Sequence, residues 1–201
     1  MGFRFMLILA LDTTGPHCSV ALLRDDTLLH SEHRRIGRGH AEVLGVMVRE
    51  ALRETDTPAS AVTRLAVCRG PGSFTGLRVG LSYALGFSLP RGLPVLGVDV
   101  TEIAAHGTRG TLAVRLDVRR GEVGWSAFRD GVRTHSFVVE SVEVAELRIA
   151  ELGADSLLSD PVPDMQVLAR MAAGLEPEAY PAEALYARGP DAKLPGGRSL
   201  G

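Results

Sequence analysis

The residues of this chain whose types and spacing could do chemistry are concentrated in Cys68-Arg69-Gly70-Pro71-Gly72-Ser73-Phe74-Thr75-Gly76-Leu77-Arg78-Val79-Gly80. Arg64 to Cys68 reads as a buried strand and Thr75 to Leu89 as a helix, so the glycines fall where strand becomes helix. Such a junction can hold a phosphate on the first-turn amides, with the helix dipole behind them. Glycine lets the backbone approach closely, and Pro71 sets a turn. Ser73 or Thr75 can equally cap those amides. The loop is neither G-x-x-x-x-G-K-[ST] nor G-x-G-x-x-G, and both readings stand. Asp12-Thr13-Thr14, at the end of the first apolar run, offers a carboxylate and hydroxyls to a phosphate or a metal-bound water, or builds an ordinary turn. Asp12, Thr13, Gly72 and Ser73 are therefore the candidate nucleotide-binding residues, for weakly held ATP or ADP; no other cofactor and no metal is expected.

These groups need elements to position them. Leu7 to Leu11, Cys18 to Arg24 and Leu28 to His33 read as a three-stranded meander. His33 to His40 is a basic connector, read as a solvated loop ahead of a phosphate or RNA contact. A helix follows from His40 to Arg53, with Leu44, Met47, Val48, Ala51 and Leu52 as its core stripe and Val43 and Val46 as apolar surplus. His40 has no second histidine four residues on and reads as a helix-entry residue. In the next helix Gly76, Gly80, Ala84 and Ser88 form a smooth row beside Leu77, Leu81, Leu85 and Leu89. The expectation is that the leucines bury and the smooth row forms a groove for a second helix, with Val79, Tyr83 and Phe87 nearby. The alternative is that both faces meet the chain's own sheet and helices.

The remainder repeats the beginning. After a strand from Pro94 to Val98 and a short helix from Thr101, three more strands run over Leu112 to Asp117, Glu122 to Arg129 and Val132 to Val139. At a constant offset of 105 residues, Leu11-Asp12 meets Leu116-Asp117, Arg24-Asp25 meets Arg129-Asp130, and His30 meets His135. Two α/β lobes related by duplication follow from this order. A helix from Val142 to Glu151, a strand from Ser156 to Leu158 and a helix from Pro163 to Gly174 make the second lobe the smaller. Trp125 and Phe128 read as its core, and the proline-rich stretch from Glu176 as extended or poorly ordered. The expected division is 1–108 for an N-terminal lobe carrying the partner-binding helices, 109–192 for a C-terminal lobe, and 193–201 for a flexible tail.

With 201 residues, 45% of them hydrophobic, and a formal charge of −2, the chain can bury a substantial core and has no global attraction for nucleic acid. Cys18 and Cys68 lie in apolar runs and read as buried free thiols of a reducing compartment. Met6 to Leu11 is too short for a signal peptide's apolar region, and no run is long enough for a membrane span, so the expected location is cytoplasmic.

Leu9-Ala10-Leu11-Asp12-Thr13-Thr14 followed by Cys18 to Leu22, Gly39-His40-Ala41-Glu42-Val43-Leu44, Arg69 to Gly80, and Leu96-Gly97-Val98 resemble the TsaB (YeaZ) family. The match is dense over the first hundred residues and thin afterwards, where Tyr186-Ala187-Arg188 and Pro190-Asp191-Ala192 look like the family's closing motif. The resemblance implies an α/β fold of the actin-like ATPase class (ASKHA, ribonuclease H-like), with duplicated β-β-β-α lobes and the second reduced. It implies a non-catalytic scaffold that binds its paralogue TsaD for threonylcarbamoylation of the adenosine following the anticodon in tRNA. It further implies that TsaC supplies the adenylate, that TsaE joins the assembly and that tRNA is met indirectly through the complex; apart from the resemblance, the surplus apolar helix faces are expected to make the chain alone a homodimer. The implied partner surface lies on the two N-terminal helices, here His40, Val43, Val46, Met47, Phe74, Gly76, Gly80, Tyr83, Ala84 and Phe87. The catalytic paralogue carries a metal-binding histidine pair where this chain has Val100 and Ala104. The competing reading is an ATP-dependent or metal-dependent enzyme of the same superfamily, a phosphotransferase or a glycopeptidase-like protein.

Overall fold

A computed structural model describes residues 5–187 of the chain. Strands β1 (Leu7–Asp12), β2 (His17–Arg24) and β3 (Thr27–Arg35) form the first meander. They are followed by α1 (His40–Glu54), β4 (Arg64–Gly70), α2 (Phe74–Ser88), β5 (Val95–Asp99) and α3 (Val100–Ala105). The second series is β6 (Thr111–Asp117), β7 (Glu122–Arg129), β8 (Val132–Ser141), α4 (Val142–Glu151), β9 (Ser156–Ser159) and α5 (Met165–Gly174). The sequence-based boundaries agree with these to within about two residues.

The two sheets have orders β3-β2-β1-β4-β5 and β8-β7-β6-β9. In each, a meander of three antiparallel strands accepts a parallel strand beside its first member, β4 on β1 and β9 on β6. The repeated positions behave alike. Asp25 and Asp130 turn their hairpins at φ 51° and 50°. Asp12 and Asp117 each accept the amide two residues on, from Thr14 and Arg119. The molecule thus has the duplicated α/β fold of the actin-like class, its second lobe reduced to a four-stranded sheet.

β1 is buried along its whole length because both faces of its sheet are covered. Leu7, Leu9 and Leu11 point to one side, against Leu44, Met47 and Val48 of α1 and Leu81 and Ala84 of α2. Ile8 and Ala10 point to the other, against Leu168, Ala169 and Ala172 of α5. α5 corrects the expected division at 109–192. It follows the second sheet in sequence, yet its apolar stripe packs on the far face of the first, beside Val100 and Ile103 of α3. On the second sheet α4 sends Ala145 and Ile149 against Val123, Trp125 and Ala127, while Phe128 is buried on the opposite face with Leu112 and Val114. β9 is exposed at all four residues.

A short helical turn at Pro177–Ala179 leads into an irregular strap, 180–187, where an extended or poorly ordered stretch was expected. The Gly97 amide donates to Tyr180 O at 2.9 Å and the Leu185 amide to Arg69 O at 2.7 Å, tying the strap to the middle of β5 and the end of β4. The expected tail over 193–201 lies outside the described residues.

The lobes are joined through Asp99, which caps α3 with its Oδ1 and accepts Arg133 Nη2 of β8 on Oδ2 at 2.8 Å. Arg133 Nη1 donates to Ser126 Oγ at 2.8 Å. Asp99 is nearly fully buried, so removing the guanidinium strands a carboxylate. Arg133→Met is expected to lower unfolding free energy by about 2 kcal/mol in urea titration. Pairing it with Asp99→Asn should restore part of that loss.

Candidate functional site: a closed glycine loop and two outward helices

The structure brings Asp12, Thr13, Gly72 and Ser73 together, and they meet one another. Ser73 caps α2 by accepting the Gly76 amide on its Oγ at 3.3 Å, while its own amide donates to Thr14 O at 2.7 Å. Thr13 Oγ1 donates to Gly76 O at 2.7 Å. A Cβ on Gly72 would stand 2.5 Å from Thr14 O, and one on Gly76 would collide with Thr13 O. The β1–β2 turn therefore packs directly on the loop, with the carbonyl oxygens of Thr13 and Thr14 directed at Gly76 and Gly72. The glycines serve close backbone packing.

Asp12 sits at the centre of this closure. Its Oδ1 accepts both the amide and the hydroxyl of Thr14, at 2.9 and 2.7 Å, and its Oδ2 is buried with no hydrogen-bond partner. Complete burial raises the Asp12 pKa, opposed by the Thr14 bonds, the nearby Cys68 thiol and His40. Burial and the adjacent Asp12 push the Cys68 thiol well above its ordinary value, and Cys18 rises to about 11, chiefly through burial. Both cysteines are buried free thiols. His40 is half-buried, and its Nε2 bridges Gly15 O at 3.0 Å and His17 O at 3.1 Å, so the residue expected at the partner surface locks α1 to the same turn. Arg34 of the basic connector is held within the lobe by Glu32 and by Glu50 of α1.

The helix faces divide differently from the expectation. Gly76, Gly80 and Ala84 are buried against the chain's own β1–β2 turn and β4: a Cβ on Gly80 would meet Thr13 Oγ1 at 2.5 Å and Val67 Cγ2 at 3.4 Å. Met47 of α1 is likewise fully buried in the core. These four leave the candidate partner surface, because the strands take the small-residue row that gives the closest approach. Val43, Val46, Phe74, Tyr83 and Phe87 remain half-exposed. The leucine row splits, with Leu77 and Leu81 inside and Leu85 and Leu89 outside at 47% and 81% exposure. The outward face of α2 thus comprises Thr75, Arg78, Ser82, Leu85, Gly86 and Leu89, none of them in the expected set. Helical spacing from Gly76 would have found this face once the buried row was known. Gly45 of α1 admits the Tyr83 ring at 3.6 Å from a notional Cβ, seating the two helices side by side.

Comparison with known proteins now bears on this geometry. The family model described as TsaD, tRNA N6-adenosine threonylcarbamoyltransferase, matches residues 30–143. The chain belongs to this family. Within it the likeness is to TsaB/YeaZ. The tRNA threonylcarbamoyladenosine biosynthesis protein TsaB of Escherichia coli is 38% identical over 129 residues, 62% of this chain and 55% of that protein. TsaB of Bacillus subtilis is 29% identical over 146 residues, 70% of this chain and 64% of that one. The structure of YeaZ from Pseudomonas aeruginosa superposes with a TM-score of 0.69 at 26% identity, over 90% of this chain and 99% of that chain. The matches thus span little more than half the length of the curated relatives.

Val100 and Ala104, where the resemblance placed the counterpart of a histidine pair, fall on α3, Val100 buried beside Ile103 and Met165 and Ala104 half-buried near Phe128. Neither side chain can ligate a metal, and no group of three His, Cys, Asp or Glu capable of holding one occurs among the described residues. A cavity of about 400 Å³ at the lobe junction, with Glu102, His106, Arg170 and Tyr180 in its wall, shares no residue with the glycine loop. No helix among the described residues is long and apolar enough to cross a membrane.

Two outcomes follow. Gly76→Ala is expected to cost about 3 kcal/mol or more in thermal and urea unfolding, whereas Gly86→Ala, with nothing within 4 Å, should stabilise by about 0.5–1 kcal/mol. Asp12 has a folded pKa above its unfolded one. As pH rises from the ordinary carboxylate range towards the folded value, the unfolded chain loses its proton first and stability falls. Asp12→Asn should flatten that decline in pH-dependent denaturation and leave the protein more stable at pH 7.

Proposed function

We propose that the chain is a non-catalytic subunit in the biosynthesis of threonylcarbamoyladenosine in tRNA, binding a TsaD transferase through the outward faces of α1 and α2. The observation that carries this reading is the apolar surface left uncovered there. Leu85 and Leu89 stand in water on α2, and Val46, Val79, Tyr83 and Phe87 are half-covered beside them. Full burial of a leucine is worth about 1.5–3 kcal/mol, and a contiguous patch of such residues marks an association surface. Tyr83 seated on Gly45 makes the pair of helices a rigid platform for a further helix pair. The names of the TsaB relatives support the pathway, and Val100 and Ala104 in place of the histidine pair support a subunit whose partner does the chemistry.

In this assembly the TsaC product is consumed by the partner, TsaE joins as the ATPase, and tRNA is met through the complex. The same helix faces pair two copies of the chain when no partner is present. The setting is the cytoplasm. Nucleotide binding at the closed loop is the competing activity: tight binding of Mg-ATP in calorimetry, or a stoichiometric metal, would restore the enzyme reading.

Size-exclusion chromatography and calorimetry of the chain mixed with TsaD test the proposal. A one-to-one complex is expected, weakened about a hundredfold by Leu85→Asp together with Leu89→Asp, with the melting temperature held because both side chains are exposed. Gly80 is unsuited to this test, since a larger side chain there strikes Thr13 inside the protein. Separate elution of the two proteins overturns the reading.

A further inference from the structure

The cavity at the lobe junction is walled by α3 with Glu102 and the following His106, by α5 with Arg170, Met171 and Leu175, by the β7–β8 hairpin at Gly131, and by the strap at Tyr180. Its volume of about 400 Å³ lies within the range of small-molecule sites. Met171 and Leu175 give it an apolar wall, both half-buried where α5 packs on the first sheet. The polar side chains around that wall are poorly satisfied from within the chain. Glu102 Oε1 stands 3.6 Å from Arg133 Nη2, a group already bonded to Asp99 Oδ2 at 2.8 Å. Arg170 has neutral partners: its Nη2 donates to Asp26 O at 3.4 Å and, with the Gln166 amide turned to accept, to that oxygen at 3.0 Å. The Tyr180 hydroxyl and the His106 ring have no hydrogen-bond partner among the described residues. Burial, and then the Glu102 charge, raise the Tyr180 pKa, so the phenol keeps its proton and its oxygen can accept.

The signs of the charges decide what fits. Glu102 comes from α3 and Arg170 from α5, so an acid and a base stand on separate walls. The other charges near the cavity are engaged elsewhere. Asp99 is paired with Arg133, Asp130 beside Gly131 accepts the Gly110 amide, and Asp26 offers Arg170 its carbonyl and not its carboxylate. Arg69 acts on Tyr180 in the direction opposite to Glu102. A simple anion in this cavity would meet Glu102 unpaired and a simple cation would meet Arg170, and each pays for a charge covered without a partner. A molecule that carries both signs satisfies both walls. We propose that the lobe-junction cavity binds a zwitterionic α-amino acid with an apolar side chain. Its carboxylate lies on the Arg170 guanidinium, its ammonium between the Glu102 carboxylate and the Tyr180 oxygen, and its side chain on Met171 and Leu175. Such a ligand touches α3, α5 and the strap at once and so steadies the joint between the lobes. The site shares no residue with the outward faces of α1 and α2, and it stands or falls independently of the partner-binding reading.

Calorimetry and NMR of the full chain with L-leucine, L-leucinamide and N-acetyl-L-leucine test this. L-Leucine is expected to bind, to raise the melting temperature, and to shift the His106 ring and Met171 methyl resonances. Leucinamide lacks the carboxylate and N-acetylleucine the ammonium, so each should bind about tenfold more weakly or worse. Glycine, with no side chain for the apolar wall, should also lose. Arg170→Gln should weaken L-leucine about tenfold and abolish its advantage over leucinamide, and Glu102→Gln should abolish its advantage over N-acetylleucine. Arg170 is exposed, so the melting temperature of the unliganded Arg170→Gln protein should hold. Should Glu102→Gln fail to fold, the leucine and leucinamide comparison on Arg170→Gln decides. No heat and no resonance shifts at millimolar L-leucine overturn the proposal. Equal binding of the three leucine compounds overturns it too, as do shifts confined to residues outside the cavity.

Discussion

The constraint on which the rest of the molecule depends is the depth to which the β1–β2 turn enters the start of α2. Thr13 and Thr14 lay their carbonyl oxygens over Gly72 and Gly76, Thr13 Oγ1 presses on Gly80, and the Ser73 amide closes the contact. A methyl group at any of these glycines would push hairpin and helix apart. His40 takes two carbonyls from the same turn, so α1 is positioned against it as well. Both outward helices are thus referenced to one turn, and their mutual placement is set by backbone hydrogen bonds and steric contact more than by the side chains they show to solvent.

That arrangement explains where sequence reasoning succeeds and where it fails. Strands such as β1 and β7, and helices such as α1 and α4, announce themselves by period, and the duplicated Asp12/Asp117 and Asp25/Asp130 pairs give the repeat away because each is a local turn device. The Ser73 cap and the core roles of Trp125 and Phe128 are legible for the same reason, being local or compositional. The inward face of α2 is not. Two rows of compatible residues compete for the core, and only the height of the β1–β2 turn above the sheet selects Gly76, Gly80 and Ala84 over the full leucine row. The packing of Tyr186 on Phe74 and Arg78 is equally hidden, because Tyr186 stands 108 residues from Arg78 and arrives by a strap whose path depends on Gly70 and Gly97 being bare.

The reduced second lobe fits the same division of labour. Its sheet ends at β9 with Leu157 and Leu158 exposed, and α5 closes the first sheet in place of enlarging the second. The joint between the lobes is a charged pair buttressed by Ser126 and Thr101, a contact suited to fixing orientation more than to burying area.

Asp12 supplies the last step. A carboxyl group buried at the heart of the closure must be neutralised, by a proton or by a cation. A cation would require oxygen ligands turned towards Oδ2, yet Thr13 Oγ1 is committed to Gly76 O and Thr14 Oγ1 to Oδ1 of Asp12 itself, while the neighbour on the open side is the thiol of Cys68. A thiol kept protonated by its own burial is a poor ligand for a hard cation and a tolerable neighbour for a neutral acid. Burial raises the pKa of the Asp12 carboxyl and of the Cys68 thiol alike, so the neutral form of each is favoured by the same packing.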